Sequence, residues 1–251
     1  MSGAADLLAQ DGVPPLAARQ VHVWTVPLNC SEAQAARCFA TLTDAERQRA
    51  LRLREASVRA RWTVARSALR RVLGAYRGCA ARCIVFIDSG NGKPGLARGN
   101  DAPRLHFNLS HSGDYAMLAV TGLAAVGIDI EQIRAFDDID AVAARFFAPS
   151  EQAVLNSLPP ERRAAAFHEC WTRKEALLKA TGAGIGGALA ELAVSFGDGA
   201  PPRIVRAGGG IGDAGQWSLR ALPAPAGYVS ALAVHDSGPL QLLFLQDAVA
   251  D

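Results

Sequence analysis

The sequence predicts an α+β fold: a lobe of one long helix packed on a small antiparallel sheet, duplicated about a pseudo-twofold axis, with the active site at the lobe interface. Three observations carry this. Long helical patterns alternate with short β-branched stretches. Trp62-Thr-x-x-Arg66-x-x-Leu69-Arg70 lines up with Trp171-Thr-x-x-Glu175-x-x-Leu178-Lys179 at an offset of 109 residues. Tyr115–Val120 matches Tyr228–Val234 at nearly the same offset. The expected lobes are residues 1–121 and 122–251, with Asp129 and Glu131 near the junction, and ligand sites favour such interfaces.

Element by element, Val21–Val26 alternates and reads as a strand ending at Pro27. Thr43-Asp-Ala-Glu46 is a capping-box pattern that opens a helix to about Arg54. Residues 56–76 form a second helix, with Val58, Trp62, Ala65, Leu69 and Val72 at helical spacing before Gly78. A short strand follows at Ile84–Ile87, then turn residues from Asp88 to Pro94 around Asn91-Gly92. Strands are expected at 104–109, 115–121 and 125–131. The second half begins with helical patterns at 138–147 and 150–157. A long helix runs from about Glu161 to Ala180, stopped by Gly182-Ala-Gly184. Strands recur near 191–196, 202–206, 216–222, 227–234 and 240–245, with a Gly-rich loop at 207–215.

Composition sets the class. Of 251 residues half are hydrophobic and a fifth charged, which excludes a disordered, collagen-like or coiled-coil chain. No apolar run reaches the roughly 18–20 residues that span a bilayer. The stretch MSGAADLLAQDGV lacks the basic and apolar regions of a secretory signal. Five cysteines include no CxxC pair, and Cys79-x-x-x-Cys83 has no second ligand pair to make a zinc site. A soluble, reduced, cytoplasmic protein is expected.

Charge is uneven. The net charge is only +2, yet nine arginines lie between Arg47 and Arg71 against one acid, Glu55, so that window alone carries +8. Such a concentration is either a footprint for phosphates, nucleic acid or an acidic protein, or a solvated helix face.

Three motifs carry chemistry. In Val126-Gly-Ile-Asp129-Ile-Glu131, strand alternation puts both carboxylates on one side and both isoleucines on the other. Paired hard oxygens suit Mg²⁺ with phosphate and water, although two surface acids would read the same way. In Trp171-Thr-Arg-Lys174-Glu175-Ala-Leu-Leu-Lys179, Glu175 and Lys179 share a helix face; alone they could be an ordinary i,i+4 ion pair. His106-Phe-Asn-Leu-Ser110-His111-Ser112-Gly113 ends a strand with hydroxyl, imidazole and backbone donors able to hold a phosphate. Adjacent strand residues face opposite sides, which argues against a Ser110–His111 catalytic dyad.

Taken in order, Gly92-Lys93-Pro94, Phe107-Asn-Leu-Ser110-His111-Ser112, Gly127-Ile-Asp129-Ile-Glu131 and Trp171-x-x-Lys174-Glu175-Ala-x-x-Lys179 resemble the 4′-phosphopantetheinyl transferases of the surfactin-synthetase-activating (Sfp) type. The resemblance spans about 90 residues and implies a monomer built from two pseudo-twofold lobes. It implies Mg²⁺-dependent transfer of the 4′-phosphopantetheine arm of coenzyme A to a serine of an acyl or peptidyl carrier protein, releasing adenosine 3′,5′-bisphosphate. By motif, Asp129, Glu131 and Glu175 resemble the Mg²⁺ ligands, and Glu175 the general base for the carrier serine. Lys179 resembles the catalytic lysine at the pyrophosphate. Ser110, His111 and Arg61 resemble the pocket for the ribose 3′-phosphate, Lys93 belongs near the adenine and phosphates, and Lys174 supports the coenzyme A site. The family's further basic residues upstream of Arg61 do not align, and Arg47 and Arg49 are the nearest candidates.

Two other classes stay on the table: a Mg²⁺-dependent phosphohydrolase using the same carboxylates, and a nucleic-acid-binding protein using the basic helices. Against the second, the chain shows no aromatic and basic interleaving and no recognised nucleic-acid motif. Neither a nucleic-acid nor a membrane partner is expected.

Overall fold

The computed structural model describes residues 13–88, 93–97, 104–182, 187–197 and 199–247. The turn expected at Asn91-Gly92 and the glycine stop beyond Gly182 lie outside them. In chain order the elements are β1 (Gln20–Pro27), α1 (Glu32–Ala40), α2 (Asp44–Leu51), α3 (Ala56–Arg77), β2 (Phe86–Asp88), β3 (Pro94–Leu96), β4 (His106–Ser112), β5 (Tyr115–Thr121) and β6 (Val126–Gln132). They continue with α4 (Ile139–Phe146), α5 (Pro149–Ser157), α6 (Pro160–Thr181), β7 (Ala193–Val194), β8 (Ile204–Arg206), β9 (Ser218–Leu222), β10 (Tyr228–Val234) and β11 (Gln241–Gln246). The architecture is mixed α and β with small, mainly antiparallel sheets.

Strand alternation builds the layers. Val21 and Val23 of β1, with Met117 and Ala119 of β5, meet Val126, Ile128 and Ile130 of β6 and Leu232 and Val234 of β10 between the two main sheets. From the opposite face of the first sheet, Trp24, Leu118 and Val120 meet Leu69, Val72 and Leu73 of α3. On the far face of the second sheet, Ala231 and Ala233 of β10 meet Cys170, Ala176 and Leu177 of α6. The order is therefore helix, sheet, sheet, helix, and the central strands are apolar on both faces. Both long helices end where a glycine takes a left-handed conformation, Gly78 (φ 61) and Gly182 (φ 77).

The first sheet has the order β11-β1-β5-β4 and the second β6-β10-β9. β11 runs parallel to β1, with Gln20 opposite Gln241 and Thr25 opposite Gln246. The last strand of the chain's second half thus completes the first sheet.

Local differences have local causes. Helix α2 stops at Leu51, short of the expected Arg54. The strand expected from Ile84 begins at Phe86, because the Ile84 amide donates to the Ala81 carbonyl at 3.3 Å, closing the 3₁₀ turn Ala81–Cys83, and so is drawn into that turn and not into the ladder. The strand expected over 191–196 is only Ala193–Val194, because Gly187–Glu191 winds into a 3₁₀ turn. Helix α1 has no counterpart in the sequence reading. It is opened by a capping box in which Ser31 and Gln34 satisfy each other's backbone amides.

Candidate active site

The site begins with a register match between β4 and β6, strands of different sheets. Asn108, Ser110 and Ser112 point from one face of β4, and each reaches β6. The Ile128 amide donates to Asn108 Oδ1 at 2.8 Å, the Ser110 hydroxyl to Asp129 Oδ1 at 2.7 Å, and the Ser112 hydroxyl to Glu131 Oε2 at 2.7 Å. The Gln132 amide donates in turn to Ser112 Oγ at 3.1 Å. Two serines two residues apart thereby orient two carboxylates two residues apart. From the motif alone Ser110 reads as a phosphate donor, and Ser112 has no role of its own. The shared period of two in the two motifs was the available signal.

Helix α6 closes over β6 at Gly127. A Cβ built there would lie 2.0 Å from the Ala176 carbonyl oxygen and 2.5 Å from the Ala180 nitrogen, so only glycine allows this approach. At that distance the face bearing Glu175 and Lys179 overlies Asp129. The Lys179 ammonium sits 2.5 Å from Asp129 Oδ1 and 2.9 Å from Ser110 Oγ, with Asp129 almost wholly buried and Lys179 partly open to solvent.

Three carboxyls in one dry region repel. Burial raises the pKa of Asp129, and Lys179 and Ser110 oppose the rise. Burial and then the Asp129 charge raise that of Glu131, against its hydrogen bond from Ser112. Glu175 is pushed up to about 7, chiefly by burial; Lys179 pulls it back while Asp129 and Glu131 add to it. Asp129 Oδ2 and Glu175 Oε1 are buried with no hydrogen-bond partner. Unsatisfied buried carboxylate oxygens are the acceptors that a hard cation fits. Even so, among the described residues no three acid, imidazole or thiol groups stand together as a ready-made metal cage.

The other expected residues fall in several places. Ser110 lies at the centre. His111 lies on the opposite face of β4, its ring partly covered, and that partial burial, then the Lys179 charge, lowers its pKa. Arg61 of α3 reaches the β4–β5 turn, where Nη2 donates to Asp114 Oδ1 at 2.7 Å. The Lys93 ammonium donates to the carbonyls of Val126 and Ala180, and burial lowers its pKa to about 8. Lys174, expected to support the coenzyme A site, is instead fully buried beneath α6, 2.5 Å from Glu151 Oε2 and 3.0 Å from the Phe146 carbonyl. Its charge anchors α5 to α6; neighbouring residues of a helix point about 100° apart, so Lys174 and Glu175 face different surroundings.

The arginine window is also less open than its charge implies. Glu46, one residue outside it, takes Arg66 at 2.5 Å and Arg70 at 2.6 Å, and its pKa falls to about 2 despite burial. Arg71 pairs with Asp247, and Arg47 donates to the carbonyls of Phe39 and Ala40. Arg49 lies over the Trp62 ring, its guanidinium 5.5 Å from the centroid.

Acids and a lysine gathered on one strand and one helix, with serines that orient them, suit an enzyme that handles a charged substrate. The chain belongs to the 4′-phosphopantetheinyl transferase superfamily: the superfamily pattern matches residues 125–233, and that of the 4′-phosphopantetheinyl transferase N-terminal region matches residues 27–122. It is 37% identical to the 4′-phosphopantetheinyl transferase HetI of Nostoc sp. over 219 residues, covering 87% of this chain and 89% of that one. It is 49% identical to the 4′-phosphopantetheinyl transferase psf-1 of Bacillus pumilus over 102 residues, 41% of each chain. With the AcpT transferase of Salmonella typhi it shares 44% over 91 residues, 36% of this chain and 46% of the relative. The protein is an enzyme that transfers 4′-phosphopantetheine. No helix among the described residues is long and apolar enough to cross a membrane.

Proposed function

We propose that the enzyme is of the surfactin-synthetase-activating type and moves the 4′-phosphopantetheine arm of coenzyme A onto a serine hydroxyl of an acyl or peptidyl carrier protein, with Mg²⁺. The products are the loaded carrier and adenosine 3′,5′-bisphosphate. The observation that supports this most is the pair of unsatisfied buried oxygens, Asp129 Oδ2 and Glu175 Oε1, beside a lysine that overlies the same strand. Asp129, Glu131 and Glu175 would hold the cation. When bound, Mg²⁺ neutralises the charge of the diphosphate.

The chain's own residues do the rest. Lys179 stands over Asp129, where it can follow charge toward the leaving phosphate oxygen. Glu175, whose Oε1 is buried without a hydrogen-bond partner beside Lys179, is the group to take the proton from the carrier serine. Ser110 and Ser112 keep the β6 carboxylates from turning away. Arg61 and His111, on the α3 side of β4, are the donors for a 3′-phosphate, Arg61 by exchanging Asp114 for it. In this reading the two halves are duplicated lobes, the enzyme works as a monomer in the cytoplasm, and the open arginines of α2 and α3 face an acidic carrier.

Incubation of apo carrier proteins with enzyme, coenzyme A and Mg²⁺ should add about 340 Da to the carrier, and chelation should stop it. Glu175→Gln should fold and fail to load. Phosphate release from nucleotides with no carrier present would favour the phosphohydrolase instead.

A further inference from the structure

Helix α6 ends against β6, and a side chain from a third element bridges the joint. Lys93, just before β3, donates through Nζ to the Val126 carbonyl at 2.7 Å and to the Ala180 carbonyl at 3.3 Å. Val126 immediately precedes Gly127, where the helix backbone leaves no room for a Cβ, and Ala180 immediately follows Lys179. The last four carbonyls of a helix lack donors within it and carry the negative end of its dipole. The cap residue Gly182 donates its amide to the Leu178 carbonyl, and among the described residues Lys93 donates to the Ala180 carbonyl. An ammonium is the fitting group, since it supplies several hydrogen bonds and offsets the partial charge.

We infer that Lys93 is a positioning residue: it caps the catalytic helix from outside and pins it to the start of β6, which sets the spacing of Glu175 and Lys179 over Asp129 and Glu131. Gly127 permits the close approach, and Lys93 fixes where along the strand it occurs. The resemblance places Lys93 at the adenine and phosphates; here its ammonium works on the protein's own backbone.

Amide hydrogen exchange on Lys93→Met and Lys93→Arg tests this without any substrate. Exchange at Ala180–Gly182 and Val126–Ile128 should be about tenfold faster in Lys93→Met and return toward wild type in Lys93→Arg, while amides of β1 and β5 stay as slow as before. Unchanged exchange at the joint, or faster exchange everywhere alike, overturns the assignment. A kinetic arm rests on the transfer reading above. Lys93→Met should lower kcat and leave KM for coenzyme A, and the preference over 3′-dephospho-coenzyme A, as they are. A raised KM at constant kcat would make Lys93 a ligand of the nucleotide instead. Since the exchange arm needs no turnover, it decides the brace even where the transfer reading fails.

Discussion

The ammonium of Lys179 and the carboxylate of Asp129 meet at 2.5 Å, and the Ser110 hydroxyl bonds to both. This triangle joins the helix, the strand of one sheet and the strand of the other. Removing its cation leaves Asp129 buried among acids. Lys179→Met should cut carrier loading by at least about 100-fold, the scale of losing one preorganised charge donor. Initial rates by mass shift check it, and a loss under tenfold would mean that Lys179 serves only as the partner of Asp129.

Glu175 gives a pH signature. Its carboxyl titrates near 4.5 in the unfolded chain and near 7 in the native one, so between those values the native state holds the extra proton. Stability therefore falls as pH rises from 4.5 to 7, and the whole penalty is present above 7. Glu175→Gln never ionises there. With chelator present it should be about 1–3 kcal/mol more stable than wild type at pH 7.5 and no more stable near pH 4.5. Urea unfolding at the two pH values decides; an equal gain at both would point to packing.

Gly127 cannot be enlarged, because both atoms in its way are backbone. Gly127→Ala should lose about 3 kcal/mol or more, and the transfer activity with it, as α6 is forced off β6. Denaturant midpoints and loading rates measure this. Wild-type stability in Gly127→Ala would disprove the contact.

The buried pair of Lys174 and Glu151 predicts non-additivity. Lys174→Met strands a carboxylate that also accepts the Ala148 and Val194 amides, and should cost about 3–5 kcal/mol. Adding Glu151→Gln should recover part of that loss. A double-mutant cycle by urea unfolding reads the coupling, and additive losses would mean that the two charges do not depend on each other.

What a single sequence discloses here follows the range of the interaction. The long helices were expected at 56–76 and about 161–180 and occupy Ala56–Arg77 and Pro160–Thr181, since periodicity, proline and glycine act within a few residues. The capping box at Thr43 is legible in the sequence, and Ser31 with Gln34 carries the same signal for α1. Alternation gave the shared face of Asp129 and Glu131, but not Ser112 as the orienting partner of Glu131, because β4 and β6 meet through side chains across two sheets. Lys174 shows the limit most plainly. It directly precedes Glu175, and only the packing of α5 reveals that it turns away from the site. The arginine window misled by one residue, since Glu46 just outside it neutralises two of its members.

The parallel pairing of β11 with β1 bears on how the protein is made. Gln20–Pro27 leaves the ribosome early, whereas its neighbour at Gln241–Gln246 is synthesised more than two hundred residues later. Until then β1 can present a bare rim with Val21 and Val23 beside it, a template for stray strands from other chains. Assembly of the layer bearing Ser110 and Ser112 is thereby tied to late synthesis, so a prematurely terminated product would be sticky rather than half-active.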